Sequence, residues 1–560
     1  MAVPLMDKFK PEYWAIDFNN TCSAALTTSA EDSLTVTSVF RTKNDLVGLI
    51  WLSEDTTSHQ LHRYDTSYDY SANTLAFDFT MVGLPGINDV NGLVMTVIHL
   101  DDTPQYVRLA NYASDVALDG LSGHVSLDFS VVKAGWDDTD TVDWTTVKRM
   151  FLSLVPTTYS SGDTTPLPTE VTSTISLTNI AVTGPQVIKW DGSTDAHSLK
   201  MADGYDDSYH LAPKRIVEAA YALGYRDWYN VYMGLSHHHN VTWSETESRF
   251  ICDPAKDPVN ATARAWWDDL VINLVAQGFI NIVVSISYEI INYQMPLAWR
   301  QLDYAGNPGR SGWDPPSEFI SPCNTQALNF LIAEANYLIG RITALGGNPV
   351  IQVGEPWWWD GAYGGSGPCF YDGYTTAAYT SETGKAVPTP YLTSISSSYV
   401  GHEDYLYWLR QKLGDSTMYI LNTVKAANPT AETSILFFTP QIMASPMLLI
   451  INLPVDHWKY PNLDILQIED YDWIIDKHWP HHDTTWNTAF TLLNYPVDKV
   501  QYFAGFNLLP EDADEVWPGI LLVIRESMNK SVTTFIWARP QVWRDNIIWD
   551  DREQISVSEE

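Results

Sequence analysis

The sequence predicts a multidomain β plus α/β chain. A jelly-roll-like β-sandwich is expected over residues 1–183 and a (β/α)8 TIM barrel with long C-terminal-face loops over 184–545, followed by an acidic tail over 546–560. Three observations carry this. Eight short β-rich runs come first, separated by Gly, Pro, Asn and Asp clusters and lacking a helical period. Eight strand-like runs then alternate with seven helical ones, the pattern of a parallel sheet wound into a barrel. Midway through the second part, NPVIQVGEPWWWD (348–360) reads as a buried parallel strand that stops at Gly354 and turns out through Glu355-Pro356 into three tryptophans.

The early runs are 32–40, 45–53, 73–82, 92–100, 106–113, 123–132, 147–156 and 172–183. Several alternate with period two, as Leu75, Phe77 and Phe79 do, so one face of each strand is expected to be buried. Many short strands of this kind imply a sandwich or jelly roll. The polar, Pro-bearing stretch 160–171 is followed at once by a strand-like run. It is therefore expected to be a loop inside the sandwich, with the boundary near Gly184-Pro185.

Barrel strands are expected at 187–190, 228–235, 279–287, 349–353, 433–440, 463–469, 500–507 and 532–538. Helices are expected at 212–223, 261–277, 324–345, 401–427, 445–453, 484–494 and 512–529. The clearest has Leu328, Leu331, Ile332, Ala335, Leu338, Ile339 and Ile342 on one face. The competing open doubly wound sheet lacks its glycine-rich strand-to-helix fingerprint; GAYGGSG (361–367) leads into no phosphate-type helix start. Insertions at 236–262, 288–322 and 357–400 all leave the C-terminal ends of strands, the functional face of such a barrel.

Composition narrows the function. The 560 residues are 45% apolar and 18% charged, a folded composition with ample core. A formal charge of −36, from 68 acidic and 32 basic residues, repels nucleic acid and excludes it as a partner. No apolar run of about 18 residues occurs, so no membrane insertion is expected, and the N-terminus does not read as a signal peptide. The four cysteines, Cys22, Cys252, Cys323 and Cys369, have no metal or disulfide-framework spacing and are expected as free thiols, with one bridge among the last three as the alternative. With 23 Trp and 30 Tyr, the chain has aromatics for both cores and contact surfaces.

Candidate chemistry gathers where the strands end. Glu289 follows strand three, Glu355 ends strand four, and Glu469, Asp470 and Asp472 end strand six. Strand ends converge on one mouth, and paired carboxyls are what glycoside hydrolysis needs: one protonated to assist departure, one ionised to attack or to activate water. Glu289, Glu355, Glu469 and Asp472 are therefore the catalytic candidates, and Trp357, Trp358 and Trp359 the candidate ligand-binding residues. His237, His238 and His239 after strand two, and His478, His481, His482 and Asp483 after strand six, show no ligand spacing. They are expected as hydrogen-bonded or solvated histidines, so neither metal nor cofactor is expected. DGSTD (191–195) and DGYDD (203–207) are expected as turns, not calcium loops.

Gly354-Glu355-Pro356 resembles the Asn-Glu-Pro acid/base motif of the large (β/α)8 glycosidase clan, and the three tryptophans would fit its sugar platform. That clan's nucleophile is a glutamate ending strand seven. Here strand seven ends in Phe506-Asn507, Glu511 comes only after Leu508, Leu509 and Pro510, and Gly354 stands in place of Asn. The resemblance thus implies a glycosidase-like barrel whose sugar chemistry has lapsed. The whole layout, with WAIDF (14–18) near its start and GEPWWW (354–359) in its barrel, resembles the non-contractile tail sheath proteins of short-tailed phages that carry a virion RNA polymerase. More loosely, it is similar to the glycoside-hydrolase-like barrels of gene-transfer-agent and siphophage tail proteins. This implies a structural protein of the virion tail, made in the host cytoplasm. It also implies homo-oligomeric rings around the tail tube, with other phage tail proteins as partners and a host outer-membrane receptor as a further contact. The alternatives are a glycoside hydrolase with an N-terminal carbohydrate-binding module, and a lectin-like receptor-binding tail protein.

Overall fold

The computed structural model describes residues 4–234, 236–505 and 507–552. Leu235, Phe506 and residues 553–560 of the expected acidic tail lie outside the described residues.

Two antiparallel sheets form the first part. The six-stranded sheet runs, edge to edge, Ala113–Ser114, Ser122–Asp128, Thr74–Val82, Pro166–Thr183, Ser33–Thr42 and Ser23–Ala30. The five-stranded sheet runs Ala15–Phe18, Val47–Leu52, Val147–Leu154, Val94–His99 and Pro104–Arg108. Leu75, Phe77, Phe79 and Met81 alternate into one core with Trp51, Met150 and Leu152, while the residues between them stay partly or wholly in solvent. This alternation is what a sheet wetted on one face requires. Two strands, Ala15–Phe18 and Ser23–Ala30, escape the sequence pattern; the second, SAALTTSA, is too rich in Ala, Ser and Thr to stand out.

Eight parallel strands then close into a barrel: one, Lys200–Gly204; two, Trp228–Met233; three, Asn281–Ser287; four, Asn348–Gly354; five, Glu432–Phe438; six, Ile465–Glu469; seven, Val500–Ala504; eight, Thr533–Ile536. Strand one pairs with strand eight through Lys200–Phe535 and Met201–Ile536, which completes the ring. A buried ion pair reinforces that seam, with Arg539 Nε 2.7 Å from Asp203 Oδ2 and the guanidinium also donating to Ser208 Oγ. All seven expected helices form, among them Ala261–Ala276, Thr325–Ala344 and Glu403–Ala427. The expected helix 484–494 instead starts earlier, as Trp479–Asn487, and ends in a π-helical turn over Thr488–Leu492.

The first barrel strand is a correction. The run 187–190 pairs antiparallel with Leu5–Met6 and Tyr64–Asp65 outside the barrel. Val187 is buried while Ile188 and Trp190 are exposed, as on a strand with one wet face. The true first strand, KMADG, carries Lys, Asp and Gly in five residues and has no hydrophobic run to find.

Inside the barrel, an apolar layer of Ala202, Tyr232, Val283, Val350, Leu436, Ile465, Phe503 and Phe535 accompanies a layer of amides. Gln467 is the centre of the amide layer. Its Oε1 accepts from Asn230 Nδ2 (3.2 Å) and Gln352 Nε2 (3.1 Å), and its Nε2 donates to Gln501 Oε1 (3.0 Å). Buried amides in a low-dielectric interior have to be paired in this way. Among the described residues, no helix is long and apolar enough to cross a membrane. All four cysteines are free thiols.

Candidate functional site

The barrel mouth brings Glu289, Glu355 and Glu469 together, as their strand-end positions require. Glu355 leaves strand four with φ +50°, a left-handed conformation that is uncommon for a residue with a Cβ. The turn aims its carboxyl at Tyr232 of strand two, whose hydroxyl donates to Oε2 at 3.2 Å. Gly354 has a packing reason: a Cβ there would stand 3.0 Å from the Tyr232 ring. Asparagine at that position would push the tyrosine off the carboxyl.

Glu289 begins a hairpin, Glu289–Ile291 paired with Ser317–Phe319, at the two ends of the second long insertion. The hairpin folds over the mouth, and Ser317 Oγ donates to Glu289 Oε2. The Glu289 and Glu355 carboxyls lie within hydrogen-bonding reach of each other and titrate as a coupled pair. Burial holds both above the ordinary carboxyl range, Glu289 at about 7 and Glu355 at about 8, the latter helped by the Glu289 charge. Glu469 is pushed well up by burial and then by Glu355, Asp472 and Asp470; its Oε1 has no hydrogen-bond partner. Among the described residues, none of the three forms an ion pair with Lys, Arg or His. The mouth is therefore a nest of acids kept neutral by dehydration.

Asp472 differs. It sits in the short helix Tyr471–Ile475 and reaches solvent, although its carboxyl rises to about 6 through dehydration and the nearby Asp476. Glu511, the late acid after strand seven, is exposed in the turn Pro510–Asp512 and bears on Arg544. Tyr471 fills the space beside the end of strand seven: a Cβ on Gly505 would lie 1.8 Å from the Tyr471 Cβ. The same tyrosine stacks on Phe438 at 4.8 Å and lies within the field of Glu469, Glu355 and Glu289.

The three tryptophans are packed, not presented. Trp358 is fully buried, its indole Nε1 donating to Leu409 O and its backbone N–H to Asn452 Oδ1. Trp359 stacks on Phe319 of the covering hairpin at 4.3 Å and 17°. Trp357 lies between Trp359 and Phe438. Gln301 ties the two insertions together by donating to Trp357 O and accepting from Trp359 N–H. All three rings are buried and hold the insertions against one another. Two surface clefts, of about 290 Å³ around Ile474 and Trp479 and about 570 Å³ around His99 and Gln105, are lined by none of the three mouth glutamates.

The histidines separate into two unrelated groups. His478 and His481 are exposed. His482 is buried between Asp470 (2.6 Å) and Glu526 (3.2 Å), and its imidazole is raised to about 9: burial opposes the charge, and the hydrogen bonds to both carboxylates outweigh it. His237 bonds the Tyr293 hydroxyl at 2.9 Å. His238 and His239 both point at Glu334 of helix Thr325–Ala344, a carboxylate that sequence reasoning missed because it occupies a helix position among Leu and Ala. Among the described residues, His238, His239 and Glu334 are the one group within metal-ligand reach of one another.

Comparison with known proteins covers nearly the whole chain. Residues 6–190 match the non-contractile tail sheath N-terminal domain, and residues 195–547 match the non-contractile tail sheath protein TIM barrel. Solved structures that align include a calcium-binding mutant of Bacteroides uniformis β-glucuronidase 2 (10% identity, 92% of this chain and 46% of that one, TM-score 0.30). Others are the β-galactosidases of Marinomonas ef1 (11%, 61% and 54%, TM-score 0.40) and of Bacillus circulans sp. alkalophilus (12%, 61% and 50%, TM-score 0.38). The chain spans about half the length of these enzymes. With both of its parts matched in order, the chain belongs to the non-contractile tail sheath protein family, structural components of the phage tail.

Proposed function

We propose that the chain acts as a ring-forming subunit around the tail tube and that its barrel is a scaffold, not a hydrolase. The observation that carries this reading is the Glu289–Glu355 pair, two carboxyls within hydrogen-bonding reach of each other under a covering hairpin. Retaining glycosidases hold their carboxyls about 5–5.5 Å apart and inverting ones about 6.5–9.5 Å, with the sugar between them. Carboxyls within hydrogen-bonding reach of each other stand closer than either arrangement. Ring contacts have a candidate surface on the first part. Tyr106 (57% exposed) on the edge strand Pro104–Arg108 adjoins Trp136 (54% exposed), because Gly135 N–H donates to Tyr106 O. A receptor contact and other tail proteins as neighbours belong to the same proposal.

Electron microscopy and native mass spectrometry of purified particles test the assembly. Many copies in rings support it, and a monomer missing from particles overturns it. Incubating the full chain with bacterial polysaccharides and measuring reducing ends tests the silent barrel. The second reading, a glycoside hydrolase, draws on the raised Glu355 carboxyl, which is protonated at neutral pH as a general acid must be. Turnover that Glu355→Gln abolishes would establish the hydrolase; no release by either protein supports the scaffold.

A further inference from the structure

We infer that His238, His239 and Glu334 form a buried structural site for one divalent transition-metal ion of zinc type, built from none of the carboxyls of the barrel mouth. The two imidazole Nε2 atoms converge on one carboxylate, His238 at 2.9 Å from Oε1 and His239 at 3.2 Å from Oε2. Tetrahedral zinc with bonds of about 2.0–2.2 Å to nitrogen and oxygen separates its ligand atoms by about 3.3 Å, so small outward shifts of these atoms admit the ion. Two nitrogens and a carboxylate suit zinc better than calcium or magnesium, which take oxygen ligands.

Burial supplies the driving force. His238, His239 and Glu334 are 1%, 3% and 1% exposed, and no Lys or Arg pairs with Glu334 among the described residues. A dehydrated carboxylate facing only imidazoles gains greatly from a cation at their meeting point. The Nδ1 atoms of both histidines lack a hydrogen-bond partner, so the polar network is incomplete as it stands.

The scaffold around the site is preorganised. Asn260 caps helix Ala261–Ala276 through Ala263 N–H, and its amide donates to the carbonyls of His237 and His239, while its own N–H donates to His238 O at 2.8 Å. Phe330 (5.2 Å from His239) and Tyr205 (5.6 Å from His238) wall the imidazoles. Cys252, at the end of the hairpin strand Arg249–Cys252, lies close enough to His239 to act on its charge and is an outer-shell neighbour of the group. An ion here would tie the loop after strand two to helix Thr325–Ala344, two elements already joined by the hydrogen bonds of His238 and His239 to Glu334.

The test uses the full chain expressed with zinc, gel-filtered, and analysed for metal by mass spectrometry. About one equivalent of zinc, a melting temperature lowered by chelator and restored by Zn2+, and loss of the zinc in folded Glu334→Gln or His238→Gln support the site. Glu355→Gln should keep its zinc. Absence of metal with no response of melting to Zn2+, or zinc retained in both folded variants, overturns it. Where the variants do not fold, X-ray absorption on the parent protein decides: a first shell with two imidazoles supports the site, and any other shell refutes it.

Discussion

Replacing Glu355 by Gln should make the protein more stable as pH rises. In the folded chain this carboxyl is raised from 4.5 to about 8, so it keeps a proton that the unfolded chain has already released. Its share of the stability is complete below pH 4.5 and is lost as pH climbs through 8. At pH 5 the loss is below about 1 kcal/mol, and at pH 8 it reaches about 4 kcal/mol, a ceiling because Glu289 shares the charge. Glutamine keeps both contacts: its carbonyl accepts from the Tyr232 hydroxyl, and its amide donates to Glu289 in place of the protonated carboxyl. Urea unfolding of parent and Glu355→Gln at pH 5.0, 6.5 and 8.0 measures the difference. The parent should lose about 3 kcal/mol more than the variant across that range. A variant with the same decline, or one less stable than the parent at pH 8, would refute the picture of dehydrated acids at the mouth.

Other substitutions probe the rest of the architecture. Trp358→Ala empties a fully buried site and strands Leu409 O, the acceptor of the indole N–H, so a loss of about 3–5 kcal/mol is expected in denaturant unfolding. Gln467→Leu leaves Asn230, Gln352 and Gln501 without their common partner, at about 1–3 kcal/mol for each group stranded, measured in the same way. Tyr106→Glu together with Trp136→Glu adds charge to an exposed patch. Melting should barely move, while ring assembly, followed by electron microscopy, should fail; intact rings would remove that face from the interface.

The alternation of Leu75, Phe77 and Phe79 and the one-faced stripe Leu328–Ile342 showed the sandwich and the barrel in the sequence because both patterns are local. The Glu-Pro break after Val353 likewise showed that strand four ends in an acid. Strand one was hidden, since KMADG owes its burial to neighbours more than 300 residues away, Phe535 and Ile536. The role of the tryptophans was also beyond sequence: a WWW run reads equally as platform or as core until the 317–319 hairpin is seen to cover it. The partnership of His238 and His239 with Glu334 spans about a hundred residues and has no spacing to read. The chain by itself determined which residues reach the C-terminal mouth, because strand period and strand end are set by near neighbours. Only the tertiary structure decided that Glu289, Glu355 and Glu469 are buried beside one another, because dehydration and the distance between carboxyls depend on how separate insertions pack.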